Sequence, residues 1–345
     1  MPDIYDEARR QFDICNACRY CEGYCAVWDE MENMKIFSNT NIQHLANLCH
    51  DCRECYTVCP FTEPHEFNLN IPKVLSNVRY ETYIHNIKPK FMEKAATHQN
   101  YLWLSAIVLS LLSVFSIGYI NVNGNLFAYD NLFLIIHIFP VLQFKIFSII
   151  LYTYVIVLWT LEANSYWNSI NSGKDNKKIT PHSIVSALYD TFSHKYFKGG
   201  GAGCSYPQDN SGKFRLIFHP MVFFGFIIDL IAISFYGHLD IYLIIVYMAG
   251  SLLMSIGAIS LLLAKLYSNR ELANKQLLYM DYPFTTIMFL TGITGFIFPI
   301  ISGYDIFSLI FMFHLCFIAT IFLIAPFGKF IHPVYRFLSI LKYNS

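Results

Sequence analysis

Charged residues are scarce in this 345-residue sequence: Asp, Glu, Lys and Arg together make up 14%, against 55% hydrophobic residues. So little charge does not suit the surface of a soluble protein of this size, and most of it lies outside a few long apolar runs, which points to a chain that crosses a bilayer several times. A basic excess is also missing. With 24 Lys and Arg balancing 24 Asp and Glu, the sequence has no electrostatic footprint for nucleic acid. No Rossmann G-x-G-x-x-G occurs, so no nucleotide or flavin site of that type is expected on the chain itself. The first twelve residues are charged and amphipathic without an apolar stretch, so no cleaved signal peptide is expected.

What charge there is falls unevenly. Residues 1–80 carry 12 Asp and Glu against 7 Lys and Arg, leaving the remainder with the matching positive excess. The acidic part also holds eight of the ten cysteines, in two runs of the form C-x-x-C-x-x-C-x-x-x-C: Cys15, Cys18, Cys21 and Cys25, then Cys49, Cys52, Cys55 and Cys59 followed by Pro60. Three thiolates on a three-residue repeat let one tight loop wrap three corners of an iron-sulfur cubane, while the fourth reaches the neighbouring cluster. The expected ligand sets are therefore Cys15, Cys18, Cys21 and Cys59 for one 4Fe-4S cluster, and Cys49, Cys52, Cys55 and Cys25 for the other. Paired zinc sites would need two C-x-x-C pairs per ion, and a disulfide framework has no use for this even spacing. The apolar periodicity of Ile4, Ala8 and Phe12, and of Ile42, Leu45 and Leu48 behind a cap at Thr40 or Asn41, predicts a helix before each run. An α-helical ferredoxin-type domain over 1–90 follows. His50, His65 and Glu66 either face a redox partner or solvate their loops.

Six apolar segments then follow, at about 101–120, 146–161, 221–236, 241–265, 284–301 and 306–326, most near the ~20 residues a spanning helix needs. The second is short, and 132–144 either extends it or lies along the membrane surface. The expected fold is all-α, with a polytopic helix bundle over 91–345. Nearly every Lys and Arg of this half, from Lys88 to Lys342, lies beside the termini or in the loops at 162–217 and 266–281, and the opposite short loops have none. The positive-inside rule then makes the cysteine domain, the C-terminus and the 162–217 loop cytoplasmic, with a bacterial inner membrane as the location.

Histidines cluster at span ends. His219 and His238 are 19 residues apart, about 28 Å along a helix, so they cannot grip one metal together; the same holds for His314 and His332, 18 apart. Antiparallel third and sixth spans bring His219 level with His332, and His238 towards His314, as two bis-histidine sites for one or two b-type haems. His137 is a substitute ligand, and interfacial placement is the plainer reading of the span-end histidines. Asp229, in mid-span, is either part of proton delivery to a quinone or a protonated, helix-bonded side chain. The glycine-rich stretch around Gly199, Gly200, Gly201 and Gly203 lacks the G-K-[ST] ending of a phosphate loop. Cys204 and Cys316 are expected to be non-ligands.

The cysteine runs, His65-Glu66-Phe67, the glycine stretch with Cys204 and Tyr206-Pro207, Phe218-His219, and Gly328-Lys329-Phe330-Ile331-His332 with Tyr335-Arg336-Phe337 together resemble the tricarballylate/citrate utilisation B proteins over essentially the whole length. That resemblance implies a redox accessory protein: a separate FAD-dependent dehydrogenase oxidises a tricarboxylate such as tricarballylate, and the B protein reoxidises its flavin and feeds membrane quinone. This sequence is richer in Phe, Tyr and Ile than the family pattern, which leaves the partner's substrate open. The rival redox role is the membrane subunit of a quinol-linked reductase of heterodisulfide- or nitrate-reductase type. A non-enzymatic iron-sulfur sensor would need an output segment that the sequence does not display.

Overall fold

The side chain of Asp3 caps the first helix by accepting the Tyr5 N–H, and Ser38 caps the third by accepting the Asn41 N–H at 3.3 Å, two positions before the nearest expected cap. A computed structural model describes residues 3–127, 129–172, 178–198, 204, 213–238 and 240–345, and no strand occurs among the described residues. The head consists of α1 (Ile4–Cys18), α2 (Ala26–Glu32), α3 (Asn39–Leu48), α4 (Glu54–Thr57) and α5 (Ile71–Asn86). Its core is formed by Phe12, Trp28, Ile42, Leu45, Leu48 and Val78, and the stripe Ala8/Phe12 turns inward as its helical spacing requires. The boundary set at 90 falls between α5 and the short α6 (Met92–Ala96).

Six helices are long and apolar enough to cross a membrane: α7 (Gln99–Asn121), α9 (Val141–Ile170), α11 (Phe214–Ile233), α12 (Ile241–Tyr267), α13 (Lys275–Ile300) and α14 (Phe307–Ile324). Their outer faces carry Leu109, Leu112, Ile149, Ile150, Ile156 and Ile245, all exposed, a surface suited to lipid and not to water. Consecutive helices α11 to α14 pack side by side, α7 closes against α14, and α9 lies outside them. Close approach of α12 to α11 needs Gly257, where a Cβ would lie 2.7 Å from the Phe218 carbonyl oxygen.

The second span differs most from its expected bounds. Pro140 ends the short α8 (Ile135–Ile138), α9 starts at Val141, and it then runs nine residues past Leu161 to Ile170. That polar extension leaves the apolar layer and joins the head: Ser165 donates to Asn86, Ser169 to Gln43, and Glu162 accepts the Lys88 N–H at 3.2 Å. The expected loop at 162–217 therefore begins as helix, and it also contains α10 (Pro181–Phe192), which packs on the last helix, α15 (His332–Tyr343).

The head, the extension of α9, α10, the turn at Arg270–Leu272 and α15 all gather at one end of the bundle, tied by Asn274 N–H to Ser76 (2.7 Å) and Arg53 to the Asn269 carbonyl (3.1 Å). The opposite end is closed by α8, whose carbonyls at Ile135 and Phe139 accept the Tyr236 hydroxyl, and by Leu132, whose N–H reaches Ser302 at 2.9 Å. Most of the described basic residues thus sit at the head end, with Lys145 near the start of α9 at the other.

Candidate functional site

Each cysteine run is bent into a loop by residues with left-handed backbone. Arg19 (φ 55°) ends α1 just after Cys18 and Gly23 (φ 75°) turns the chain into α2; Asp51 (φ 55°) and Arg53 (φ 64°) do the same between Cys49 and α4. The result is two cavities. Cys15, Cys18, Cys21 and Cys59 border one, Cys25, Cys49 and Cys52 border the other, and Cys55 borders both. The fourth cysteine of each run thus lies with the first three of the other. All ten thiols are free. Burial, reinforced by neighbouring thiols, pushes Cys15, Cys21 and Cys25 up to about 12, so in the absence of metal they hold their protons. A metal centre binding there must displace them.

Among the described residues no three His, Cys, Asp or Glu side chains converge on a point suited to a single ion. Four thiols around each cavity leave one ligand for each iron corner of a cubane.

A larger cavity of about 210 Å³ lies where the head meets the bundle. His219 on α11 and His332 at the start of α15 face each other across it, ring centres 6.3 Å apart and planes at 83°. Two imidazole–metal bonds of about 2 Å each, added to the step from ring nitrogen to ring centre, reproduce that spacing with one metal between them. His332 Nδ1 lies 2.8 Å from the Lys329 carbonyl, which can only accept, so Nδ1 carries the proton and Nε2 is left bare. Burial, then the Lys329 and Arg336 charges, hold His332 well below its usual range, so it is neutral. His219 Nδ1 is buried with no hydrogen-bond partner among the described residues. The walls include Phe223, Phe226, Phe284 and Phe330, and the polar rim holds Arg53, Arg79, Arg215, Arg336, Lys265 and Lys329 against Asp51, Asp190 and Asp281. Asp281 lies 3.0 Å from Lys329 and 3.9 Å from Lys265. An apolar slot with opposed imidazoles and a cationic rim fits a porphyrin that carries carboxylates.

His50 was expected to face a partner or solvate its loop. It is instead buried, at 9% exposure, with its ring against Tyr196 and Phe197 and its Nδ1 on the Leu48 carbonyl. Together with Asp51 and Arg53 it borders both the second thiol cavity and the central one. His65 packs against Phe61 and Phe67, and Glu66 is exposed. Sequence reading missed His194, whose ring lies 5.3 Å from that of His219. It sits just past α10, and no spacing rule ties it to the membrane histidines.

His238 and His314 border a smaller cavity of about 70 Å³ at the far end, with no ring contact between them among the described residues. Both nitrogens of His314 are engaged, Nε2 by the Tyr247 hydroxyl and Nδ1 by Thr294 at 3.0 Å. The structure thus brings the His219 and His332 rings together, while no ring contact joins His238 to His314 among the described residues. Asp229 accepts the Ser251 hydroxyl at 2.8 Å, and exposed His137 stacks on Tyr129. Cys316 is a core residue whose thiol points to the Ser110 carbonyl. Cys204 packs beside Cys52, while its neighbours Gly199 to Gly203, Tyr206 and Pro207 lie outside the described residues.

Residues 8–85 match the Fer4-like domain of citrate utilization protein B, and residues 137–345 match the citrate utilization protein B family itself. The citrate utilization protein B of Escherichia coli is 29% identical over 357 residues, covering 98% of this chain and 91% of that protein. No solved structure matches.

Proposed function

The chain belongs to the citrate utilization protein B family, and from that premise we propose that it is a membrane electron carrier serving citrate or tricarballylate utilisation. It accepts electrons from a partner FAD-dependent dehydrogenase and passes them to membrane quinone. The eight cysteines hold two 4Fe-4S clusters in the exchanged sets, and His219 with His332 holds one haem b. Bound there, these groups supply one-electron carriers with no substrate carbon chemistry.

One observation carries this reading: His50, Asp51 and Arg53 border both the second thiol cavity and the central cavity, so no separate layer of protein stands between the two. The chain's own residues keep that contact rigid. Arg215 donates to the His50 and Asp51 carbonyls at 2.8 and 2.7 Å, and Arg336, four residues after His332, donates to the Cys49 carbonyl at 2.9 Å. Lys329 orients His332 through its carbonyl, and its ammonium joins the rim that receives carboxylates. His314, committed to Tyr247 and Thr294, is a structural residue, so one haem is expected. The concentration of Lys and Arg at the head end supports a cytoplasmic head by the positive-inside rule.

The test is composition. Full-length protein purified anaerobically in detergent is expected to contain about eight non-haem iron atoms with equal acid-labile sulfide, plus one b-type haem. Zinc or disulfides in place of iron and sulfide, or no b-type absorbance, would overturn the proposal.

A further inference from the structure

The two thiol sites share a ligand type but have opposite electrostatic surroundings. The outer site, Cys15, Cys18, Cys21 and Cys59, includes the exposed Cys18 and is bordered by Arg19, Glu22 and Glu32 beside the exposed Tyr20. The inner site, Cys25, Cys49, Cys52 and Cys55, lies against the bundle. Its loop is gripped by arginines: Arg336 and Arg79 donate to the Cys49 carbonyl at 2.9 and 3.4 Å, Arg79 also to the Ala46 carbonyl at 3.0 Å, and Arg215 to the two carbonyls that follow. Arg53 lies within the loop itself, 3.7 Å from Asp51. Set against Asp51 and Glu54, four guanidinium groups leave an excess of positive charge.

We infer that these arginines make the inner site the more oxidising of the two, so that electrons settle on the side facing the membrane. The inference rests on the cluster-holding reading above. A thiolate-ligated cluster gains negative charge on reduction, so nearby cations stabilise its reduced form and nearby carboxylates destabilise it. Amide hydrogen bonds to sulfur act in the same sense as cations. The Asp51 N–H reaches Cys49 Sγ at 3.3 Å, and amides of Val27, Trp28 and Glu54 serve Cys25 and Cys52. On the outer site, among the described residues, Cys59 is served this way by Phe61 and Thr62. Loss of water opposes this ordering, because it disfavours the more charged reduced form. That opposition is present, since Cys18 of the outer site is exposed while burial pushes the inner Cys52 and Cys55 well up. Four guanidinium groups set against the inner loop outweigh it, and charge sign sets the order.

An EPR-monitored redox titration of the full-length protein tests this. Two iron-sulfur steps are expected, and Cys18→Ser, which alters the outer signal, identifies the lower one as outer. Arg336→Gln is expected to shift the higher step downward and leave the lower one in place, with Arg336→Lys restoring much of the shift. Glu22→Gln, a surface change, is expected to raise the lower step alone. Coincident steps, an outer site titrating at the higher potential, or charge variants that move the wrong step would overturn the inference while leaving the two-cluster reading intact. Absence of two iron-sulfur signals would overturn both.

Discussion

His314 and His332 lie 18 positions apart in two consecutive helices and have opposite hydrogen-bonding states. One ring is committed at both nitrogens to Tyr247 and Thr294, whereas the other offers a bare nitrogen to a cavity. His332→Ala is therefore expected to abolish the b-type difference spectrum while iron and sulfide stay at their wild-type levels. His314→Ala should keep the haem and cost about 1 kcal/mol, the usual worth of a hydrogen bond between spans, read as a lower melting temperature in detergent. Among the cysteines, Cys25 is the discriminating position, since it closes the first run but lies with the second. Cys25→Ala is expected to remove the same EPR signal as Cys52→Ala and not the one lost in Cys21→Ala. Much of this was legible in the sequence, because thiol spacing is local. The second histidine pair was not: Tyr247 and Thr294, which engage His314, sit 67 and 20 residues away from it, and nothing in the chain marks them.

Helices α11 and α12 meet where Gly257 lets the Phe218 carbonyl approach, one residue before the cavity-facing His219. Gly257→Val pushes a side chain against backbone that cannot turn away. It is expected to cost about 1–3 kcal/mol by overpacking and to lower haem content, since it displaces the turn carrying His219; thermal unfolding followed at the haem band measures both. The six apolar runs could be read from length and composition alone. Their ends could not, for a physical reason: α9 and α13 continue beyond the apolar layer as ordinary polar helix, where hydropathy gives no signal and caps such as Asn274 decide the start. The α9 extension matters because it carries Ser165 and Ser169 to the head.

Taken together, the head and the bundle share one interface, built from α5, the end of α9, α10 and α15, and the central cavity lies inside it. A cavity assembled from separate stretches between His50 and Ile340 has no sequence signature. Of its lining, His219 and His332 with Arg215, Lys265, Lys329 and Arg336 were visible, as a set of span-end groups. On the proposed function the head is an entrance and the bundle a receiver, so severing the inner thiol site should isolate an otherwise intact haem. Rapid mixing of the full-length protein with a reduced flavin donor, following b-type absorbance in wild type and in Cys52→Ala, measures this most directly. The account predicts prompt haem reduction in the wild type and a large loss of that rate in the variant with haem content unchanged. Equal rates in the two proteins would contradict it.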